Sequence, residues 1–394
     1  LNNYGSIIRG AIAIAIAILL SIFFFRLHGN PEYGPTLAFA LLCGAFFGIL
    51  LQRSRFCFFC ILRDFFVKKD GRPLIGIIAA LIVGCIGYLV LFESWISDPG
   101  TGYIPDDAHI GPSGWHLLLG GLTFGWGMSL SGSCISAHFY RIGEGSLLAP
   151  IALIGAVGGF ILGMMSWNTL YILTISNAPV IWIPEHIGYA GALLIQLAIL
   201  IGLLVWILVR YIPEDTDNSP VTGNQTLANI YRRVFIERWP TWAGGIGVGL
   251  LAMFYYLRVE PLGVTAEINR IARMIDFTLV PERLEGLDGL AGCTPDLGAD
   301  LFTTNGLFIM ALVGGSLVTG LLSGQFKPKP VSLTKNVKAL IGGVLLGFGA
   351  MISLGCTIGV TLSGVHAFAL SGWIFTTSMV AGVWSGLKFK ILRL

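Results

Sequence analysis

The sequence predicts an all-α integral membrane protein: about ten transmembrane helices plus short re-entrant helices, arranged as two inverted-topology repeats. Three observations predict it. First, the chain has 394 residues of which 55% are hydrophobic and 11% charged, with a mean hydropathy of +0.81. A soluble domain carries about 25% charged residues, so the solvent for this chain is a bilayer. Second, apolar runs near the roughly 20 residues that a spanning helix requires recur along the chain. Third, one glycine-spaced phrase is written twice, as "GWGMSLSGSCISA" from Gly125 and as "GFGAMISLGCTIG" from Gly347. Aligned without a gap, 120–134 and 342–356 share six of fifteen positions, the last being Cys134 and Cys356, 222 residues apart (356 − 134).

The first element is the apolar run Ile12–Phe25. It has signal-peptide length, but Arg26, His28 and Asn30 follow it in place of a small-residue cleavage site, so 1–30 reads as an N-terminal transmembrane anchor. Further spans are expected near 36–51, 74–92, 115–130, 147–165, 187–209, 241–257, 302–323, 338–354 and 365–386. Several are short and rich in glycine, which points to broken or re-entrant helices. The stretch 169–183 is apolar but holds Asn177 and Pro179, and reads as a re-entrant or interfacial piece. Residues 31–210 form the first half and 241–394 the second. The polar linker 211–240, with Pro213, Asp215, Asn218, Pro220 and Gly223, divides them.

Loop charge sets orientation, because Lys and Arg favour the cytoplasmic side. Arg53, Arg55, Arg63, Lys68, Lys69 and Arg72 cluster between two spans, Lys327, Lys329, Lys335 and Lys338 between two others, and Lys388, Lys390 and Arg393 close the chain. These regions and the linker are expected inside, with both termini cytoplasmic. The acidic stretches 93–114 and 281–300 are expected outside. The first copy of the phrase then runs inward and the second outward. Inverted repeats of this kind place a transport path at their interface near the midplane. Cys134 and Cys356 are accordingly expected to meet there as pore-lining thiols.

Glycines 120 and 121 are explained by close helix packing. "SGSC" favours a helix break, which exposes backbone N–H groups and a positive dipole end. Such an end attracts an anion without the cost of a full charge in hydrocarbon. The hydroxyls of Ser131, Ser133 and Thr357 are placed to donate to the same anion. Cys293 repeats the grammar, since Gly-Cys-Thr occurs at 292–294 and 355–357, and with Thr294 it is expected at an outer mouth. Cys43 and Cys85 have no distinctive surroundings and read as small buried hydrophobes.

Cys57 and Cys60 form C-x-x-C, a spacing used by redox pairs and zinc sites. Here Phe-Phe intervenes, no second such pair exists and no thioredoxin-like βαβ pattern surrounds it, so a short inward-facing helix with Arg55, Arg63 and Asp64 on its polar face is the reading. In "HFYRIGEGS" Arg141 and Glu144 read as interface or ion-pair residues, with a substrate role for Arg141 as the alternative. No phosphate-binding GxxxxGK[ST] occurs, no metal-spaced cluster and no sequence signal for a nucleophilic triad, so no cofactor is expected and no enzyme. A net charge of +3 without a basic tract gives no sign of nucleic-acid binding.

At "LLQRSRFCF", "GWGMSLSGSCISAHFYRIGEGS", "PLGVTAEINRIARM" and "GFGAMISLGCTIG" the chain resembles the YeeE/YedE family of bacterial sulfur-compound transporters, from about Pro35 onward. The resemblance implies an hourglass of inverted halves in the inner membrane, with re-entrant helices aiming their dipoles at a narrow centre, and uptake of thiosulfate handed along cysteine thiols. By motif, Cys134 and Cys356 match the constriction thiols, Cys57 the thiol at the inner end and Cys293 a further family cysteine. The family includes members linked to selenium metabolism, and some work beside small TusA-like sulfur-carrier proteins, which implies such a cytoplasmic partner.

Thiosulfate is a dianion with a soft terminal sulfur. A neutral thiol is both a weak donor and a weak acceptor, and weak multi-site contacts let an ion enter and still leave. A thiolate would repel it, so apolar burial that keeps the thiol protonated suits this role. Two other classes stay open on the sequence: a membrane thiol oxidoreductase using Cys57 and Cys60, and a membrane scaffold for a sulfur carrier.

Overall fold

The structure, a computed structural model, describes residues 2–30, 34–105, 108–212, 232, 236–279, 303–328 and 330–389. Among the described residues the chain is helical, with two isolated β-bridges. Seven helical stretches are long and apolar enough to cross a membrane: Ile7–His28, Gly34–Lys68, Leu74–Trp95, Leu148–Met165, Ile183–Tyr211, Thr304–Leu322 and Leu333–Ile352. The apolar side chains of the outermost helices point away from the protein, with Leu194 68% and Val209 80% exposed. Faces of that kind are stable in lipid and not in water, and the protein is a multi-pass membrane protein. Helices Trp115–Ser131, Thr241–Arg258 and Leu370–Lys388, at 17, 18 and 19 residues, are three further expected spans that lie outside this set.

The elements, numbered here in chain order, are α1 (Asn2–His28), α2 (Gly34–Ser54), α3 (Phe58–Lys68), α4 (Leu74–Trp95), α5 (Trp115–Ser131), α6 (Ile135–Gly143), α7 (Leu148–Met165), α8 (Trp167–Leu170), α9 (Ile183–Tyr211), α10 (Thr241–Arg258), α11 (Ala266–Leu279), α12 (Thr304–Leu322), α13 (Leu333–Ile352) and α14 (Leu370–Lys388), with a π-helical segment Thr357–Gly364 between the last two. The order long, short, long, long, short, long occurs twice: α2 to α7, then α10, α11, α12, α13, the π-helical segment and α14. Sequence explains where the short members begin. Gly132 ends α5 in the left-handed conformation at φ 80°, and Arg55 at φ 51° interrupts the chain between α2 and α3.

Packing pairs each half with the other. Helix α2 lies parallel to α12, where a Cβ at Gly44 would strike the Phe308 carbonyl and one at Gly48 the Leu312 carbonyl. Helix α4 lies parallel to α10 through Gly76 and Gly249, α5 to α14 through Gly125, and α7 to α13 through Gly159. Such contacts need residues without a side chain, because van der Waals approach and not hydrophobic expulsion drives helices together in lipid. The one antiparallel pair among these is α5 with α13. Gly120 meets Gly349 and Ser353 at one end, and Gly127 meets Gly342 and Leu346 toward the other.

The helices outside the two series have plainer roles. Helix α1 packs on α12 and α2 with most of its surface exposed, and α9, kinked at Gly188 (φ 71°), packs on α4. The 169–183 stretch opens with a turn of π-helix, Tyr171–Ile175, and ends in a brace. Trp182 is fully buried and its indole Nε1 donates to the Ala367 carbonyl at 3.0 Å.

Candidate functional site

Three short helical elements start at cysteines, and each start follows a chain break whose local cause is visible. After Ser54, whose hydroxyl donates to the Leu50 carbonyl at 2.6 Å, the chain turns through Arg55 and enters α3 at Cys57, an extended cap (φ −139°, ψ 117°) with no side-chain capping bond. After Ser131 it turns through Gly132 and enters α6 at Cys134, again extended (φ −79°, ψ 169°) and again without a side-chain cap. After Ser353 it turns through Leu354, at φ 58°, and enters the π-helical segment at Cys356, extended at φ −118°.

The second and third breaks share one construction. Ser131 Oγ donates to the Ser133 carbonyl at 3.1 Å; Ser353 Oγ lies 3.2 Å from the Gly355 carbonyl and donates more closely, at 2.6 Å, to the Gly349 carbonyl one turn back. The left-handed residue is in each case the one after the serine, Gly132 and Leu354. The matched serine of the repeated phrase thus faces the backbone oxygen two residues on in both turns, and at Ser353 the hydroxyl also ties the turn to the helix end. Ser133 Oγ likewise donates to a backbone oxygen, that of Gly132, at 2.7 Å. Leucine at a positive φ costs roughly 1 kcal/mol that glycine avoids, and the turn holds it there all the same.

Cys134 meets Cys57. Their sulfurs lie 4.0 Å apart, both fully buried, and Cys134 Sγ also lies 3.3 Å from Ser136 Oγ. The starts of α3 and α6 thus converge, and both turn a positive dipole end to one place, where the backbone N–H groups of Phe58 and Ala137 reach the Cys134 sulfur. Cys356 is elsewhere. Helix α5 ends beside Gly342, midway along α13, and α13 ends beside Gly120, within the first third of α5, so Cys134 and Cys356 follow helix ends that point in opposite directions and lie apart along the antiparallel pair. The repeated cysteines do not form a facing pair, because each turn closes the far end of its own helix. Thr357 Oγ1, next to Cys356, is buried with no hydrogen-bond partner.

Beside the Cys356 turn lies a cavity of about 580 Å³, with His109, Glu260, Asn305, Ser353, Leu354 and Ser371 in its wall. Asn305 Oδ1 and Ser371 Oγ are buried there without partners among the described residues. Thr303, in the same wall, donates its hydroxyl to Glu267 at 2.7 Å, and Glu267 takes two nitrogens of Arg270.

Of the residues expected at the site, Cys57, Ser131, Ser133 and Cys134 come together, Cys356 and Thr357 form a separate turn, and Cys293 and Thr294 lie outside the described residues. Cys60 of the C-x-x-C faces Arg141, whose Nη2 lies 3.0 Å from its sulfur. Arg141 pairs with no carboxylate among the described residues: its Nη1 donates to the Gly132 carbonyl at 3.2 Å, while Glu144 accepts from Gln52. The ion-pair reading of those two residues is thereby corrected. Arg63 and Asp64, read as part of one polar face, form an ion pair at 2.9 Å. Cys43 is buried as expected, but Cys85 has a polar partner that the sequence did not suggest. Gln196 Nε2 donates to its sulfur at 2.7 Å and to the Val365 carbonyl at 2.6 Å.

The sequence is similar to transporters from other bacteria. The thiosulfate transporter TsuA of Escherichia coli (strain K12) is 25% identical over 366 residues, 90% of this chain and 94% of that protein. The thiosulfate transporter TsuA of Spirochaeta thermophila is 26% identical over 362 residues, 88% of this chain and 96% of that protein. The probable transporter YedE of Escherichia coli (strain K12) is 31% identical over 96 residues, 24% of each chain. The sequence profile of the family described as "Sulphur transport" matches residues 53–385, which take in all three cysteine turns, and the chain belongs to that family.

Proposed function

We propose that this protein takes up thiosulfate, or a closely similar sulfur dianion, across the bacterial inner membrane along a path lined by thiols and helix starts. The observation that carries the reading is the Cys57–Cys134 pair: two buried, uncapped thiols 4.0 Å apart where two helix starts converge. Thiols there offer weak S–H donors and polarizable acceptors to a soft sulfur, and the peptide dipoles answer the charge. The near full-length relation to two thiosulfate transporters supports the substrate.

The packing supports an inverted repeat. The first long helix of each half lies parallel to the third of the other (α2 with α12, α10 with α4), and the fourth to the sixth (α5 with α14, α13 with α7), while the two fourth helices meet each other antiparallel. A two-fold axis in the membrane plane requires that pattern. On this reading α5, α10 and α14 also span, giving about ten crossings around an hourglass, with 31–210 and 241–394 as the halves, 211–240 as a cytoplasmic linker and both termini inside. The 580 Å³ cavity is the outer vestibule, the Cys356 turn its floor and the Cys57–Cys134 pair the inner station. Cys293 and Thr294 belong at the outer mouth, and a TusA-like carrier is the cytoplasmic acceptor.

A thiol oxidoreductase working through Cys57 and Cys60 is disfavoured by the near full-length relation to two transporters. The test is uptake of labelled thiosulfate into proteoliposomes, with sulfate, selenate and sulfite as competitors. Saturable uptake that unlabelled thiosulfate suppresses is expected. Liposomes that accumulate no more label than protein-free ones would reject the reading.

A further inference from the structure

Helix α6 carries more than its cysteine. At roughly 100° per residue, His138 lies about 40° and Arg141 about 20° from Cys134 around the helix axis, so the three share one face. Gly143 lies on the opposite face, where a Cβ would strike Ser316 and Leu317 of α12. The stripe of thiol, imidazole and guanidinium therefore looks away from α12 and toward α3, as the contacts of Cys134 with Cys57 and of Arg141 with Cys60 require.

Both polar members of that stripe are chemically unfinished. His138 is 2% exposed, and neither of its ring nitrogens has a hydrogen-bond partner among the described residues. Buried polar groups are almost always satisfied, and one that is not calls for a ligand or water. Arg141 is half-buried and its partners are uncharged groups: the Gly132 carbonyl, the Cys60 sulfur and the Tyr140 side chain. No carboxylate among the described residues lies within 4.0 Å of it. A guanidinium in a membrane protein with no carboxylate beside it among the described residues, and with sulfur as one of its acceptors, is suited to take an anion. The other half has no equivalent. At the offset that aligns Cys134 with Cys356, Arg141 falls on Ser363, whose hydroxyl is taken by the Leu262 carbonyl at 3.0 Å.

We infer that His138 and Arg141 form a second anion seat beside the Cys57–Cys134 pair, selective for the oxygens of a sulfur dianion. The inference rests on the transport reading for its ligand. The thiols meet the soft end of the ion. The imidazole and guanidinium take its sulfonate oxygens, and Arg141 exchanges its weak bond to Cys60 for a charge-assisted one. The seat exists in one half only, so the two stations of the path differ: neutral donors at the Cys356 turn, a fixed cation at the Cys134 turn.

The test separates charge from scaffolding. In proteoliposomes, Arg141→Lys should keep the KM for thiosulfate within about threefold of the parent, and Arg141→Gln should raise it about tenfold or more at equal protein incorporation. His138→Asn, which keeps a donor, should stay close to the parent, and His138→Phe should raise KM several-fold. In parallel, the melting temperature of the purified protein is measured with sodium thiosulfate or sodium sulfate at fixed ionic strength. A rise in the parent and in Arg141→Lys that is absent in Arg141→Gln supports the seat. Equal damage by Lys and Gln, or a parent-like KM in Arg141→Gln and His138→Phe, overturns it. If the parent moves no thiosulfate, the transport reading falls, and the seat stands or falls on the melting shifts.

Discussion

Cys57 Sγ and Cys134 Sγ lie 4.0 Å apart although 77 residues separate them in the chain. Two short helices begin at these residues, and no side chain caps either one. The buried thiols occupy the place where helix starts would otherwise receive a hydroxyl or carboxylate, so the positive ends stay available to a passing anion.

Alanine at Cys57, Cys134 or Cys356 should lower thiosulfate uptake at least tenfold while leaving the protein in the membrane. Uptake by labelled-ion filtration and immunoblots of the membrane fraction measure the two quantities. Parent-like uptake in all three variants would remove the thiols from the mechanism.

The short sulfur–sulfur distance should make this pair the first to oxidise. Treatment with diamide should join the peptides containing Cys57 and Cys134, stop uptake, and be reversed by dithiothreitol. Peptide mapping by mass spectrometry checks the partner. Cys60 also borders Cys57, and a product dominated by Cys57 with Cys60 would overturn the expectation.

Glycine has two kinds of site here, and substitution should tell them apart. A Cβ at Gly343 would strike the Ala152 carbonyl, whereas nothing lies within 4 Å of one at Gly202. Gly343→Val should lower the melting temperature in detergent by several degrees, since overpacking costs about 1–3 kcal/mol. Gly202→Ala should leave it unchanged or slightly higher, as alanine is the better helix former.

Gln196 ties α9 to the turn behind the Cys356 segment through its bonds to Val365 and Cys85. Gln196→Leu should cost about 1 kcal/mol, the scale of a hydrogen bond between membrane helices, and should slow uptake by loosening that turn. Thermal melting and initial rates report the two effects. A variant that melts lower but transports normally would confine Gln196 to stability.

The Glu267–Arg270 pair, at 2.5 Å and 12% exposed on each side, is a partly buried ion pair, and Glu267 also accepts from the Thr303 hydroxyl. Arg270→Met alone should destabilise by about 1 kcal/mol, and the double change with Glu267→Gln should recover much of the loss. Melting curves of the four proteins form the cycle that measures it.

Much of the fold was legible because a bilayer leaves the chain few choices. Apolar runs of spanning length mark helices, glycine spacing marks where they touch, and the repeated phrase marked two turns that do share one construction, down to the hydroxyl of the matched serine. Composition also set the solvent, and the cysteine motifs pointed to sulfur chemistry. Which cysteines meet was not legible. Sequence symmetry pairs Cys134 with Cys356, but α5 and α13 run antiparallel, and each turn sits at the far end of its own helix. Cys134 finds Cys57 instead, and Arg141 finds Cys60 and a carbonyl in place of Glu144. Sequence periodicity fixes the face of a helix on which a residue lies. The neighbour across that face depends on how the helices stack, and close packing at glycines decides that only once the whole bundle has assembled.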